Sequence, residues 1–196
     1  LGPTGFPFET FLARLFEARG YTTKTGSMLQ GKCAAHEIDL AAYNDSHSFV
    51  AEAKFHARPG IKSDLQVAMY SYARFLDLQT VPICQEDVCG ISEFWLITNT
   101  KFTSTATQYA TCVGVKLLSW DYPQRNNLHD LIQRENIYPV TILQTISTAQ
   151  IETLIDRGLI LCKDLLAHPG MLRHLHLSQR KQEALLAEVR DICQCE

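Results

Sequence analysis

Asp39, Glu52 and Lys54 are the residues whose types and spacing could do chemistry. On a strand, residues two apart share a face, so Glu52 and Lys54 project together while Phe49, Ala51, Ala53 and Phe55 face the other way. Glu37 and Asp39 share a face of the preceding segment in the same manner, opposite Ile38 and Leu40. If the two segments pair around the turn between them, up to three carboxylates and an ammonium converge. Carboxylates that close repel, which raises a pKa or calls for a cation between them. Mg²⁺ answers that need: it takes one or two carboxylates and leaves its other positions to waters and a substrate phosphate. Asp39 and Glu52 supply such a seat, and Lys54 is placed to orient a nucleophile or a scissile phosphate. The chemistry is that of phosphodiester hydrolysis.

A solvated hairpin would carry the same letters, and short motifs of this kind arise by chance. Context separates the two readings. Of the eight lysines only Lys54 has an acidic residue two positions before it, and it ends an alternating run. Glu9 lies at the flank of an apolar helical stripe, where it could reach the same site; its alternative role is favourable charge near a helix N-terminus. Lys62, Gln66, Tyr70 and Arg74 fall four apart and form a stripe beside a helix's apolar face, suited to a nucleic-acid phosphate groove or to plain solvation. His36 and His56 bracket the hairpin without a nucleophile beside them, and read as polar surface residues.

The elements that must position these groups are legible from periodicity. Phe8, Phe11, Leu12, Leu15 and Phe16 recur with helical spacing, so residues 7–19 are predicted as an amphipathic helix ended by Gly20. "YTTKT" predicts a β-branched strand, and residues 36–44 and 48–55 two half-buried strands around a turn at "NDSH". After Pro59-Gly60, Leu65, Met69, Tyr72 and Leu76 mark the inward face of a helix over 62–77. "EFWLIT" and "VKLLSW" read as buried strands joined by a helix capped at Thr103 or Ser104, which implies a parallel pair. The class is therefore α/β, a sandwich with a central mixed sheet flanked by helices. Beyond Ile137 the strand signal disappears. A capping box at Ser147 and Gln150, a helix closed by Gly158 and a last helix over 179–193 predict a small all-helical module. The expected division is 1–139 and 140–196.

Composition narrows the partners. A net charge of −3 gives no bulk electrostatic support for nucleic-acid binding, so any such contact is local. No apolar run is long enough to cross a membrane. Seven cysteines, an odd and scattered set, read as reduced thiols of a cytoplasmic protein; Cys84/Cys89 and Cys193/Cys195 lack the partners of a zinc site. The chain opens Leu-Gly-Pro without a methionine or a signal-like segment, which suggests a piece of a longer protein or a processed product.

These residues resemble the PD-(D/E)xK nucleases, with Asp39 as first acid and Glu52-Ala53-Lys54 as the (D/E)xK element; Ile38 stands where that family usually has proline. Gln66 and Tyr70 also match the QxxxY helix element of RecB-like members. More narrowly, "FPFETFLARLFEARGY", "GKCAAHEIDL", "EAKFHARPGIKSDL" and "NTKFTSTATQYA" through "LLSWDYP" resemble the Mrr-type restriction endonuclease domain found downstream of an ATP-cone, over about residues 5–139. The residues that follow resemble the helical tail of those proteins. The resemblance implies a restriction-endonuclease-like sandwich and Mg²⁺- or Mn²⁺-dependent DNA cleavage of restriction or defence type. It carries Asp39, Glu52 and Lys54 over directly and Glu9 as an accessory acid. The Ala53 backbone carbonyl joins the metal's expected ligands, and Glu37, brought in by strand parity, is an additional acid to test. A nucleotide partner is implied only through an ATP-cone, and a homodimer is expected because a double-strand cut commonly takes two active sites. Two other readings remain open: a nucleic-acid-binding or regulatory module that keeps the fold without the chemistry, and a repair or junction-resolving nuclease.

Overall fold

The computed structural model describes residues 7–58, 60–83 and 90–194. Pro59, Cys84, Cys89 and Cys195 lie outside these residues, and with them the two cysteine pairs considered above. Two compact units are present, one of Phe8–Leu131 and one that begins at Ile132.

The first unit opens with helix α1 (Phe8–Ala18), whose Phe11, Leu12, Leu15 and Phe16 are fully buried. Gly20, at φ +84°, adopts the left-handed conformation that ends the helix. Strands β1 (Thr22–Gln30), β2 (Ala35–Tyr43) and β3 (Ser48–Lys54) follow as an antiparallel meander. The β2–β3 turn closes through the Asn44 N–H, which donates to the His47 carbonyl at 2.8 Å. A short strand β4 (Lys62–Ser63) precedes helix α2 (Leu65–Leu78), capped by Asp64, whose carboxylate accepts from the Val67 N–H. Strand β5 (Glu93–Thr98), helix α3 (Ser104–Val113) and strand β7 (Lys116–Leu118) complete the sheet, while the short strand β6 (Lys101–Phe102) pairs with β4 apart from it. The strand order is β1-β2-β3-β5-β7, antiparallel across β1, β2 and β3 and parallel across β3, β5 and β7. The α/β sandwich with a mixed sheet is the predicted class, and Thr103 caps α3 as expected.

The inner strands β2, β3 and β5 are buried on both faces. On the α1 side, Phe16 packs on Phe49 with ring centres 4.9 Å apart and on Trp95 at 6.0 Å. On the other, Ile38, Val50, Phe94 and Leu96 pack with Ala68 and Leu78 of α2 and with Ala106 and Ala110 of α3. Small residues on both helices let their backbones approach the sheet.

Two expectations fail here. α2 starts at Leu65, because Lys62 and Ser63 pair with Lys101 and Phe102 instead. Its inward face is also turned: Ala68, Ser71, Arg74 and Leu78 are buried, whereas Met69 and Leu76 are each 50% exposed. Apolarity alone did not select the face, since an arginine occupies it.

The chain beyond residue 140 is helical, as predicted. Helix α4 (Leu128–Glu135) runs into the unit that begins at Ile132, and a 3₁₀ turn (Val140–Ile142) leads to helices α5 (Thr148–Asp156), α6 (Cys162–Ala167) and α7 (Gln179–Cys193). Ser147 and Gln150 form the capping box of α5. Val140, Leu154, Cys162, Leu165, Leu185 and Val189 make its core. Among the described residues no helix is long and apolar enough to cross a membrane.

Candidate active site

The site forms where β2 and β3 part. Their ladder runs from Tyr43↔Ser48 to Leu40↔Ala51 and stops. In that register the next pair is Asp39 and Glu52, so both acids stand at the mouth of the fork. The β1–β2 ladder is interrupted at the same level: Thr25↔Leu40 and Ser27↔Ile38 pair, while Gly26, at φ +57°, and Asp39 do not. Strand alternation breaks there, since Ile38 and Ala41 share the core beneath α2 and α3 although strict alternation puts them on opposite faces. The predicted common face of Glu37 and Asp39, opposite Ile38 and Leu40, is corrected accordingly.

Side chains replace the missing ladder. Asp39 Oδ2 accepts from the Ala53 N–H at 2.7 Å. Glu52 is 5% exposed, and both its oxygens are taken: Oε1 accepts from Lys54 Nζ at 2.5 Å and Oε2 from Arg74 Nη1. The second amino group of Arg74 donates to the Glu37 carbonyl, so one guanidinium spans from β3 to β2. Partial burial is the main force raising the Asp39 pKa; Glu52 adds to it, while the Ala53 N–H, Lys54 and Arg74 oppose it. Two charges of each sign thus meet in a poorly solvated place, where each cation offsets the cost of burying a carboxylate.

Glu9, exposed on α1, faces this group. Its pKa is raised by desolvation and then by the charges of Asp39, Glu37 and Glu52. Glu37 is exposed, and its backbone oxygen, not its carboxylate, is what binds Arg74. At Ala53 the N–H is the group engaged with Asp39. The end of β3 is pinned by Thr98, whose hydroxyl donates to the Lys54 carbonyl at 2.8 Å, and by Asn99, which bonds both the N–H and the carbonyl of His56. His56 is half-buried; desolvation and then Lys54 lower its pKa.

The predicted phosphate-groove stripe is not one surface. Lys62 is exposed on β4, Gln66 and Tyr70 are exposed on α2, and Arg74 is buried at 6% exposure. Each step of four residues overshoots a helical turn by about 40°, so a row of three such residues winds from solvent to sheet. Sequence reasoning placed Arg74 on the surface, and missed Asp77 entirely. Asp77 docks the β1–β2 turn on α2: it bonds His36 at 2.8 Å and the N–H groups of Cys33 at 2.7 Å and Ala34 at 3.1 Å. His36 is therefore a half-buried partner rather than a surface residue. Nothing in the local sequence marks either residue, because their partners lie in other elements.

Asp39 and Glu52 offer hard oxygen donors of the type Mg²⁺ takes, and two carboxylates with waters are sufficient for it. The donor set fits that ion in kind. Among the described residues, no three of His, Cys, Asp and Glu make a group that could hold a metal, so the protein would supply two side chains and not a closed cage.

The fold and this fork define a mixed α/β sandwich with a paired-carboxylate, two-cation centre at the edge of its antiparallel half. A curated protein of Archaeoglobus fulgidus, described as "Uncharacterized protein", is 38% identical over 182 residues, 92% of this chain and 99% of that one. The crystal structure of the "Protein of Unknown Function AF1548" superposes with a TM-score of 0.73 at 35% identity, over 97% of this chain and 99% of that chain. Residues 138–193 match the family model "AF1548-like, C-terminal". The chain belongs to the AF1548-like family. A likeness to the MspJI restriction endonuclease in complex with a 27-mer oligonucleotide, at 15% identity and a TM-score of 0.35 over 59% of this chain and 25% of that one, is too distant to carry an argument.

Proposed function

We propose that the Phe8–Leu131 unit is a divalent-metal-dependent DNA endonuclease of restriction or defence type. The observation that carries this reading is the position of Asp39 and Glu52 just beyond the last β2–β3 pair, at an open fork, with Lys54 bonded to Glu52. The resemblance of Asp39 and Glu52-Ala53-Lys54 to the PD-(D/E)xK element, and of the flanking blocks to Mrr-type domains, supports it.

Asp39 and Glu52 would hold a Mg²⁺ or Mn²⁺ ion. When bound, such an ion stabilises charge on a phosphodiester and lowers the pKa of its water. The protein's own groups do the rest. Burial of Glu52 fixes the carboxylate and keeps bulk water from screening it. The Ala53 N–H holds one oxygen of Asp39 and so sets which way its carboxylate points. The Lys54 side chain is 36% exposed, so its ammonium can bond Glu52 and still meet a phosphate oxygen arriving from solvent. Glu9 lies within electrostatic reach of both acids and can orient a water at the rim.

Nicking of supercoiled plasmid in Mg²⁺ or Mn²⁺ tests the reading. Asp39→Ala and Lys54→Ala should each lower the rate by at least about 100-fold, the scale of losing one group that stabilises transition-state charge. Equal rates in all three proteins would sink the assignment.

One observation favours a second reading. Both Glu52 oxygens already have cationic partners, which suits a module that keeps the fold and binds nucleic acid without cutting it. It predicts salt-sensitive DNA binding with no cleavage under any divalent ion.

A further inference from the structure

Arg74 is an arginine where a covering helix would ordinarily place an apolar residue. It is 6% exposed, and its guanidinium joins Glu52 on β3 to the Glu37 carbonyl on β2 across the gap left when the ladder stops. Its Nε is buried with no hydrogen-bond partner among the described residues. A buried donor left unpaired costs free energy, and a group that served only to brace two strands would be expected to satisfy it. The Tyr70 ring, itself 57% exposed, lies 5.4 Å from the guanidinium carbon, so a second favourable seat adjoins the first.

Charge bookkeeping points the same way. Asp39 and Glu52 carry two negative charges, and Lys54 and Arg74 two positive ones. Those four groups balance without any ion, and Glu9 and Glu37 add negative charge around them. A dication that entered while Arg74 still held Glu52 would set two cationic centres on one buried carboxylate. Lys54 is partly exposed and can shed its share to water, whereas Arg74 cannot while it stays where it is.

We propose that Arg74 is a positioning residue that stands in for a divalent cation. It holds the Glu52 carboxylate and closes the β2–β3 fork in the ion-free protein, and it yields that carboxylate when an ion enters, turning toward Tyr70. The proposal rests on the reading of Asp39 and Glu52 as the ion's seat. It gives the buried Glu52 carboxylate a resident cation and sets metal affinity through competition.

The test is calorimetric titration of the full chain with Mn²⁺ alone, without DNA. Arg74→Gln should bind Mn²⁺ at least tenfold more tightly than the wild type, and Arg74→Lys, which keeps the charge, should stay within about threefold of it. In chelator Arg74→Gln should melt below the wild type, and Mn²⁺ should raise its melting temperature more. A brace without the stand-in role would lower stability and leave affinity unchanged or weaker, and that result overturns the proposal. If Arg74→Gln does not fold, the wild type decides: Mg²⁺ should shift the NMR resonance of the Arg74 Nε–H and leave that of Arg19, just past the end of α1 opposite to that of Glu9, in place. No shift of Arg74 at saturation overturns the proposal. Asp39→Asn and Glu52→Gln separate the two ideas. If they leave Mn²⁺ affinity intact, the ion's seat was misassigned and both readings fall; if they abolish it while Arg74→Gln binds no tighter, only the role of Arg74 falls.

Discussion

Asp39 does two jobs with one carboxylate: it faces Glu52, and it stands in for a ladder partner by accepting from the Ala53 N–H. Its raised pKa means that the folded chain holds this proton more tightly than the unfolded one, so at neutral pH the ionised group works against folding. Asp39→Asn keeps an oxygen for the Ala53 N–H and removes the charge. Its melting temperature at pH 7 should equal or exceed that of the wild type while nicking is lost, and a large drop in melting temperature would contradict this account. Asp39, Glu52 and Lys54 were legible as neighbours in the sequence because the register of two strands around one turn suffices to bring them together. Arg74 was not: its partners are Glu52 and the backbone of Glu37, and no periodicity on α2 records what the sheet presents to it.

At the scale of elements, α2 is held by polar contacts as well as by apolar packing. Asp64 caps its start, Arg74 ties it to β2 and β3, and Asp77 receives the β1–β2 turn. Contacts with His36, foremost, and with the Ala34 and Cys33 N–H groups and the Cys33 thiol hold the Asp77 pKa down at about 2, against an opposing desolvation effect. A carboxyl lowered from 3.8 contributes stability that is fully present above that value and is lost as pH falls from there toward about 2. The gap in denaturation midpoint between wild type and Asp77→Asn should therefore be constant above about pH 5 and close as pH drops through that window. Gly31→Ala probes the same dock from the other side. An added Cβ would lie 2.3 Å from Asp77 Oδ2 and 2.9 Å from the Ala34 carbonyl, so the variant should melt lower, and hydrogen exchange should rise first at Cys33 and Ala34. The existence and order of the helices and strands followed from periodicity, but the rotation of α2 did not. Met69 and Leu76 have the hydrophobicity of core residues and lie outside, displaced by the need to bring Arg74 in.

Over the whole molecule, the mixed sheet was readable because its two halves have different signatures: alternating hairpin strands in β1–β3, and continuous apolar runs joined through α3 in β5 and β7. The helical unit from Ile132 was readable from caps and spacing. Its packing separates neighbours on α7: Leu185 is fully buried and Leu186 only partly. Leu185→Ala should cost about 2–5 kcal/mol in chemical denaturation and Leu186→Ala clearly less. The strand order has a further consequence. Glu9 and Asp39 precede the exposed 44–47 turn, whereas Glu52, Lys54 and Arg74 follow it, and the β2–β3 ladder is what brings the two sets together. A chain divided at that turn would yield two fragments, one bearing Glu9 and Asp39 and one bearing Glu52 and both cations, neither holding the centre. Recovery of activity on mixing them would then report on strand pairing itself, turning the fork into a sensor of its own assembly.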